Sequence, residues 1–334
     1  MEQPADTYWW EAGIDYGTST IKVCIAVVKN GVRVGAPQHV AFRTGPAPCE
    51  VPSMVAYHNG QLHWGTDLQK QMGKGIPFEK VIRCPKLGIY SKNGDDFDVQ
   101  HMRNLLEREG KSYANLIGDH LSEVIKRTRH WLASDSTYAL VQDKALLNSF
   151  PIRARIGVPA AWTAEDCAHM TEAALEAGVE ICEIVPEPVA AWASCIELLL
   201  RTDMLGGKLK DGNVFAVLDA GAATLDPVLI QLIGDFGKDA KFEILAAPAG
   251  SVGSSEQVNV RIREDIVRSL QSTGGIDAKA EELGMCTEEL MCRLLLQADQ
   301  EKLNLEDDSK YNEGFSINVG SRKGGPSFHY SIQE

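Results

Sequence analysis

The strongest constraint on the fold of this chain is a short motif, D-x-G-x-x-T, that occurs twice. It begins at Asp15 and again at Asp219, well over half a chain length later, and both copies lie between short apolar runs. This pattern predicts a β-hairpin whose turn carries an Asp, a Gly and small side chains. Two such hairpins so far apart indicate a duplicated structural unit, with both turns facing one cleft.

Composition limits the partners and the location. The 334 residues suffice for two ordinary domains, or for one domain with a large insert. The net charge of -13 offers no basic surface, so neither nucleic acid nor a membrane is expected as a partner. No segment has the character of a signal peptide or a spanning helix, which predicts a cytoplasmic or nuclear protein. The eight cysteines and eight histidines lack metal-ligand and triad spacing, and the cysteines are expected to be reduced.

The segments between the two motifs predict a mixed α/β chain. Hairpin-like segments are followed by one long helix from about His101 to Leu132. Thr163 to Asp166 has the pattern of a capping box, and the helix that it opens should end near Gly178. Glu187 then falls at a strand-to-helix junction. Further predicted strands are 154–158, 181–185, 316–319 and 328–332, and further predicted helices are 255–270 and 287–303.

Five sequence blocks resemble one known family, the nucleotide-binding domain of the 70-kDa heat-shock (DnaK-type) chaperones. The blocks, in order, are GIDYGTSTIKV, VPSMVAYHNGQLHWGTDLQ, IGVPAAWTAEDCAHMTEAALEAG, PEPVAAW and VLDAGAATLD. The resemblance implies an actin-like ATPase (ribonuclease H-like) α/β fold, in which two lobes with inserted subdomains close on Mg-ATP. It implies a first lobe over 1–203, with an insert at about 44–100, and an incomplete second lobe over 204–334, with an insert at about 250–334. It implies no peptide-binding domain in these residues.

The first motif matches the family's first phosphate loop. The resemblance implies that Asp15 acts on Mg2+ through bound water and that the loop holds the β- and γ-phosphates of ATP. The residues fit this role, because Gly removes the side-chain obstruction and hydroxyls add donors next to backbone N–H groups. A plain Asp-Gly hairpin turn is the alternative. The loop residues in question are Gly17, Thr18, Ser19 and Thr20.

The second motif matches the family's second phosphate loop, with departures at its glycines and at Pro227. The resemblance implies that Asp219 orients the Mg2+ shell or the attacking water, and that Gly221 and Thr224 line the phosphates. The family's triple glycine is here Gly221-Ala222-Ala223. Because each added methyl group crowds the phosphates or restricts the backbone, we expect ATP hydrolysis to be weak or lost even if binding persists.

Two further residues match the catalytic positions of the family. Glu187 matches an acid that holds a water or the metal near the γ-phosphate, and Lys86 matches a lysine that reaches the attacking water. A helix-capping role is the alternative for Glu187. An ordinary solvated lysine is the alternative for Lys86.

The adenosine side of the site matches more loosely. Gly253 and Ser254 fall where a glycine pair of the family approaches the nucleotide. Asp299 and Lys302 fall where a Glu-x-x-Lys-Arg segment contacts adenosine, although at this spacing an ordinary surface ion pair is the alternative.

The sequence therefore predicts an ATP-binding protein of heat-shock-70 type, with ATP and Mg2+ as ligands and a co-chaperone or exchange factor as a further partner. Whether it is an ATPase is left open by the altered second loop. A non-catalytic nucleotide sensor or interaction module is one alternative. A sugar-kinase-like phosphotransferase is another, because that branch of the superfold also opens with G-I-D-x-G-T-S.

Overall fold

Four β-sheets and the helices packed on them form the part of the chain that the computed structural model describes. That part comprises residues 6–43, 47–90, 97–134, 149–201, 209–221, 225–234, 241–247, 255–304, 315–320 and 327–332. The strands are β1 (Tyr8–Tyr16), β2 (Thr20–Lys29), β3 (Val32–His39), β4 (Val51–Pro52), β5 (Met54–His58), β6 (Gln61–Trp64), β7 (Ile82–Arg83), β8 (Ile152–Val158), β9 (Ile181–Pro186), β10 (Val214–Ala220), β11 (Leu225–Ile233), β12 (Lys241–Ala246), β13 (Phe315–Val319) and β14 (Phe328–Ile332). The helices are α1 (Gly65–Gln71), α2 (Leu87–Tyr90), α3 (Phe97–Arg108), α4 (Tyr113–Ser134), α5 (Ala164–Glu176), α6 (Glu187–Arg201), α7 (Ser255–Leu270), α8 (Gly275–Leu283) and α9 (Thr287–Asn304), with short 3-10 turns at Phe78–Lys80 and Gln271–Thr273. The predicted α/β class is confirmed.

The first sheet has the strand order β3-β2-β1-β8-β9, with β4 added beside β2. Strands β1, β2 and β3 are antiparallel neighbours, whereas β8 runs parallel to β1 and β9 runs parallel to β8. Asp15 lies opposite Lys22 on β2 and opposite Gly157 on β8. The carboxyl ends of β1, β8 and β9 therefore meet at one edge of the sheet, which is where α/β proteins bind their ligands.

One face of the first sheet carries the largest core of the described residues. Alternate residues of β1, such as Trp10 and Ile14, are buried beneath α4 and α5. The helices contribute residues spaced by three and four, among them Leu121 and Met170, as expected for amphipathic helices on a sheet. His120 lies in the same layer, where its Nδ1 is 2.9 Å from the Tyr16 hydroxyl, and complete burial lowers its pKa to about 3.

The opposite face of the first sheet carries charged side chains from four of its strands. Glu11 on β1 pairs with both Arg155 on β8 and Arg33 on β3. Arg155 also pairs with Glu183 on β9, with Nε and Oε2 2.8 Å apart. These pairs hold the pKa of Glu11 below its ordinary value, against the opposing effect of its partial burial. We call this row of four residues the ionic ladder.

The second D-x-G hairpin builds the second sheet, with the order β10-β11-β12. Asp219 lies opposite Asp226 across β10 and β11. One face of this sheet packs on α6, where Trp192 and Ile196 contact Val228 and Ile230. Helix α6 thus follows a strand of the first sheet and buries a face of the second.

The single long helix predicted from about His101 to Leu132 is wrong, because the structure has two helices there. Helix α3 ends at Arg108, and Gly110 takes a left-handed conformation with φ of +62°. The Lys111 N–H then donates to the Leu106 carbonyl, which is the closing bond of a Schellman motif. Ser112 caps the next helix by accepting from the Asn115 N–H. The apolar periodicity of the sequence continues across this break, so the periodicity alone does not reveal that one helix ends and another begins.

The helix boundaries predicted from local chemistry are confirmed at α5. The Thr163 hydroxyl accepts from the Asp166 N–H, and the Asp166 carboxylate accepts from the Thr163 N–H, which completes the capping box. Gly178 has φ of +94°, directly after the helix.

Two smaller sheets complete the architecture. Strands β6-β5-β7 form one, whose tight turn carries Asn59 and Gly60 at positive φ, and β13-β14 form the other. Across the described ranges, no helix has the length and apolar character that crossing a membrane would require.

Candidate functional site

A cleft of about 730 Å3 opens at the edge where the carboxyl ends of β1, β8 and β9 meet. Its lining comes from the first D-x-G turn, from the starts of the segments after β7 and β9, and from the second D-x-G turn. The predicted site residues in its lining are Asp15, Gly17, Thr18, Ser19, Thr20, Lys86, Glu187, Asp219 and Gly221. The structure thus brings together residues that are distant in the sequence.

The first D-x-G turn is a tight loop that is held in place by a hydrogen bond from a residue outside the motif. A Cβ at Gly17 would lie 2.4 Å from the Thr20 carbonyl oxygen, so this position has no room for a side chain. The Ser19 carbonyl accepts from the Ser53 N–H at 2.8 Å, and Thr18 is buried. These contacts fix the loop while the Asp15 side chain remains exposed to the cleft.

Glu187 reaches the cleft because β9 ends beside β8. Gly157 lies opposite Asp15 on one side and opposite Val185 on the other. A Cβ at Gly157 would lie 3.2 Å from the Glu187 Cγ, so the glycine leaves space for that side chain. The strand-to-helix junction predicted for Glu187 is confirmed, since β9 ends at Pro186 and α6 begins at Glu187.

Lys86 is buried, so the alternative of a solvated lysine is wrong. Only 2% of its side chain is exposed, and its ammonium group pairs with the Glu187 carboxylate and lies 5.7 Å from the centre of the Trp162 ring. The segment before it turns sharply at Cys84, which has φ of +48° and is one of four non-glycine residues with positive φ among those described. Tyr113 fixes the next residue by donating to the Pro85 carbonyl.

The cleft concentrates negative charge around this buried cation. Burial raises the pKa of Glu187, and the charges of Asp15 and Asp219 add to that rise, whereas Lys86 opposes it. Burial likewise raises the pKa of Asp219, followed by repulsion from Asp226 and Asp15. Because these carboxylates repel one another, a cation bound between them would be electrostatically favourable.

Several predicted residues cannot be placed in the cleft. Ala222, Ala223, Thr224, Gly253 and Ser254 lie outside the described residues, and so does the side chain of Lys302. Asp299 is described, and its Oδ1 accepts from the Asn259 amide at 3.0 Å. It is not part of the described lining of the cleft, so its contact with adenosine stays a prediction.

The cleft also contains residues that the sequence did not single out. Lys22 could have been predicted from the sequence, because pairing the two strands of the first hairpin about its turn places Lys22 opposite Asp15. The others depend on tertiary packing of separate strands. The remaining polar side chains of this kind are Cys24, His39, Arg155 and Ser194, and Gly157 is a further unpredicted residue of the lining.

The fold and cleft together define a mixed α/β protein with an acidic cleft at the ends of parallel strands. No family model matches the chain. The chain is 25% identical over 297 residues to the chaperone protein DnaK of Carsonella ruddii (strain PV), a match that covers 82% of this chain and 42% of that protein. It is 24% identical over 288 residues to the mitochondrial-type heat shock protein 70 of Encephalitozoon hellem, covering 79% and 40% respectively. The chain is thus weakly homologous to heat-shock-70 proteins and spans about two-fifths of the length of these relatives.

Replacing Lys86 by Met should destabilise the protein, because it leaves the Glu187 carboxylate without its cationic partner. We expect a loss of about 1–3 kcal/mol in the free energy of unfolding, less than the cost at a fully buried pair, because the Glu187 side chain is 23% exposed. The double variant Lys86→Met/Glu187→Gln should regain most of this loss. Urea unfolding measures both, with Lys126→Met as the exposed control, expected within about 0.5 kcal/mol of the parent. A double variant no more stable than Lys86→Met would contradict the pairing.

Replacing Asp219 by Asn should change how stability depends on pH. The raised pKa of Asp219 means that the folded state binds a proton more readily than the unfolded state. The contribution of this carboxyl group to stability therefore falls as pH rises from the ordinary pKa of Asp through the folded value. Asp219→Asn should flatten this fall, as measured by urea unfolding between about pH 4 and pH 7. Glu264→Gln, on an exposed position of α7, removes one charge elsewhere and should keep the parent slope; an unchanged slope in Asp219→Asn would refute the effect.

Proposed function

We propose that the protein binds Mg-ATP in this cleft as a heat-shock-70-like, chaperone-like protein with an actin-like ATPase fold. In this proposal the first and second sheets belong to two lobes, 1–203 and 204–334, that close on the nucleotide. The observation that carries the proposal is the convergence of Asp15, Glu187 and Asp219, from three separate segments, on one cleft that contains a buried lysine. The weak homology to heat-shock-70 proteins supports the same ligand.

The residues fit a divalent metal ion. Carboxylate oxygens are preferred by Mg2+, which retains several waters and so suits contacts through water from Asp15 and Asp219. Burial raises the pKa of Asp219 and of Glu187, and the mutual repulsion of the carboxylates, which adds to this rise, would be relieved by a cation. When bound, Mg2+ would neutralise charge on the phosphate oxygens.

Each residue of the cleft then has a distinct task. Gly17 lets the backbone approach the phosphates, and the hydroxyls of Thr18, Ser19 and Thr20 provide donors. Lys86 places a fixed positive charge beside the cleft, and Glu187 and Asp219 are the groups that accept a hydrogen bond from an attacking water. In the parent chain Glu187 already accepts from Lys86, which keeps its carboxylate oriented.

Hydrolysis is proposed to be weak or lost. The second loop has Ala222 and Ala223 where the family has glycines, and a side chain there restricts the approach of the backbone to the phosphates. A nucleotide sensor, whose output is closure rather than turnover, is the alternative that this substitution favours. A co-chaperone or exchange factor and a cytoplasmic location belong to the same proposal.

Nucleotide binding is tested by replacing Gly17 with Ala. The added Cβ would meet the Thr20 carbonyl oxygen, so the loop must shift and the Kd for Mg-ATP should rise about tenfold or more. Gly75→Ala is the matched control, because a Cβ there meets nothing within 4 Å. Isothermal titration calorimetry measures both, and circular dichroism checks that they fold. If the parent shows no heat with millimolar Mg-ATP, or if both variants bind alike, the proposed site is wrong.

Weak hydrolysis is tested by restoring the glycines. The variant Ala222→Gly/Ala223→Gly should release phosphate from ATP faster than the parent, because the second loop regains its freedom. Adding Glu187→Gln to that variant should remove the gained turnover, which ties it to the cleft. A parent that already turns over ATP as fast as the glycine variant would show that the alanines do not impair hydrolysis.

A further inference from the structure

A cluster of metal-ligating side chains lies away from the cleft, at Glu79, Cys286 and Glu289. One ligand atom from each residue, two carboxylate oxygens and one sulfur, lies within 4.8 Å of the other two. Glu79 belongs to the 3-10 turn Phe78–Lys80, whereas Cys286 directly precedes α9 and Glu289 lies in the first turn of that helix. The three residues are not part of the described lining of the cleft. The cluster joins two segments that are distant in sequence, so the spacing of the cysteines does not reveal it.

The start of α9 fixes the positions of Cys286 and Glu289. The Glu289 N–H donates to the Cys286 Sγ at 3.4 Å, so a sulfur takes the place of the usual N-cap oxygen. The Thr287 hydroxyl donates to the Asp277 carboxylate at 2.6 Å, which ties this turn to α8. Glu289 is completely buried and Cys286 is exposed. An ion can therefore reach the sulfur from solvent, and the carboxylate beside it is held in the protein interior.

Arg293 holds the 3-10 turn against α9. Its guanidinium carbon lies 4.5 Å from the centre of the Phe78 ring. Its Nη2 pairs with the Glu289 Oε1 at 2.7 Å, and its Nη1 donates to the Gly320 carbonyl at 3.4 Å. Arg293 thus offsets one negative charge of the cluster, and none of these contacts reaches Glu79.

The Glu79 carboxylate is the group that points to a bound cation. Its Oε2 atom is buried and accepts no hydrogen bond from the described residues. A buried carboxylate oxygen without a donor costs free energy, and the nearby Glu289 carboxylate adds repulsion. A cation bound between the two carboxylates removes both costs. The thiol beside them selects the cation, because sulfur is a good ligand for Zn2+ and a poor one for Mg2+ or Ca2+.

We propose that Glu79, Cys286 and Glu289 bind one Zn2+ ion, with a water molecule as the fourth ligand. Tetrahedral Zn2+ lies about 2.3 Å from sulfur and about 2.0 Å from oxygen, which places its ligand atoms about 3.5 Å apart. The cluster has to contract by about 1 Å, which rotation of the side chains provides. The thiol releases its proton to solvent as the metal binds. Glu289 keeps its contact with Arg293, because a carboxylate has lone pairs on both oxygens.

The bound ion links the 3-10 turn before β7 to the start of α9. It would therefore hold the small β6-β5-β7 sheet and the helices α8 and α9 together at this point. The site does not rest on the proposed nucleotide function, because it uses no residue of the cleft.

Zinc binding is tested by titrating the purified, reduced protein against a chromophoric zinc chelator, in millimolar Mg2+ so that oxygen-only sites are occupied. The parent should bind one equivalent of Zn2+, and Cys286→Ser should raise the Kd about tenfold or more, because it removes the sulfur ligand. Cys195→Ser is the matched control, because Cys195 is another exposed free thiol, on α6, and this variant should bind like the parent. Equal binding by the parent and Cys286→Ser would mean an adventitious ion only and would overturn the proposal.

Replacing Zn2+ by Co2+ tests the ligands themselves. A thiolate bound to Co2+ gives a charge-transfer band in the near ultraviolet, which the parent and Cys195→Ser should show and Cys286→Ser should lack. Glu79→Gln should keep this band at saturation and bind Co2+ about tenfold more weakly or worse, because one carboxylate ligand has lost its charge. Circular dichroism checks that each variant folds. A parent complex without the thiolate band, or a Glu79→Gln variant that binds like the parent, would also overturn the proposal. The Mg-ATP titration reads only the cleft, so failure of this site and failure of the proposed function are separable.

Discussion

Parallel pairing of β1, β8 and β9 is the constraint on which the cleft depends. Parallel strands end at the same edge, so the residues that follow them converge without any direct link in sequence. Asp15 and Glu187 reach the cleft in this way, and Gly157 between them has no side chain to obstruct Glu187. The helices that make this pairing possible also bury the other side of the strands, so the core and the cleft are two faces of the same sheet.

Electrostatics explains how an acidic protein can still be expected to hold an anionic ligand. The chain carries a net charge of -13, and its cleft contains at least three carboxylates. Long-range electrostatic attraction cannot supply the affinity for an anionic ligand. That affinity has to come from local backbone donors, from Lys86 and from a bound cation. Burial, together with repulsion among these carboxylates, raises the pKa of Glu187 and of Asp219.

The sequence predicted the features that local chemistry determines. The duplicated motif gave both hairpins, and the capping box at Thr163 and the glycine at 178 gave the limits of α5. The prediction of one long helix was wrong at residues 109–112. The apolar periodicity continues across Gly110, where helix α3 has already ended. It also left open whether Lys86 is solvated, because Trp162 and Glu187, which contact its ammonium group, are remote from it in sequence. The adenosine contacts and the division into lobes stay predictions.

The ionic ladder has a consequence for strand alignment. In a sheet, sliding one strand by a single residue moves every side chain to the opposite face. A slip of β1 against β8 would thus carry Glu11 away from Arg155 and into the core, and would turn the Asp15 carboxylate away from the cleft. The ionic ladder therefore stabilises this register of the strands, and the stabilisation weakens as added salt screens the charges. The position of one carboxylate at the cleft is in this way secured by charges farther along the same face of the sheet, and one of them, Arg155, also lines the cleft.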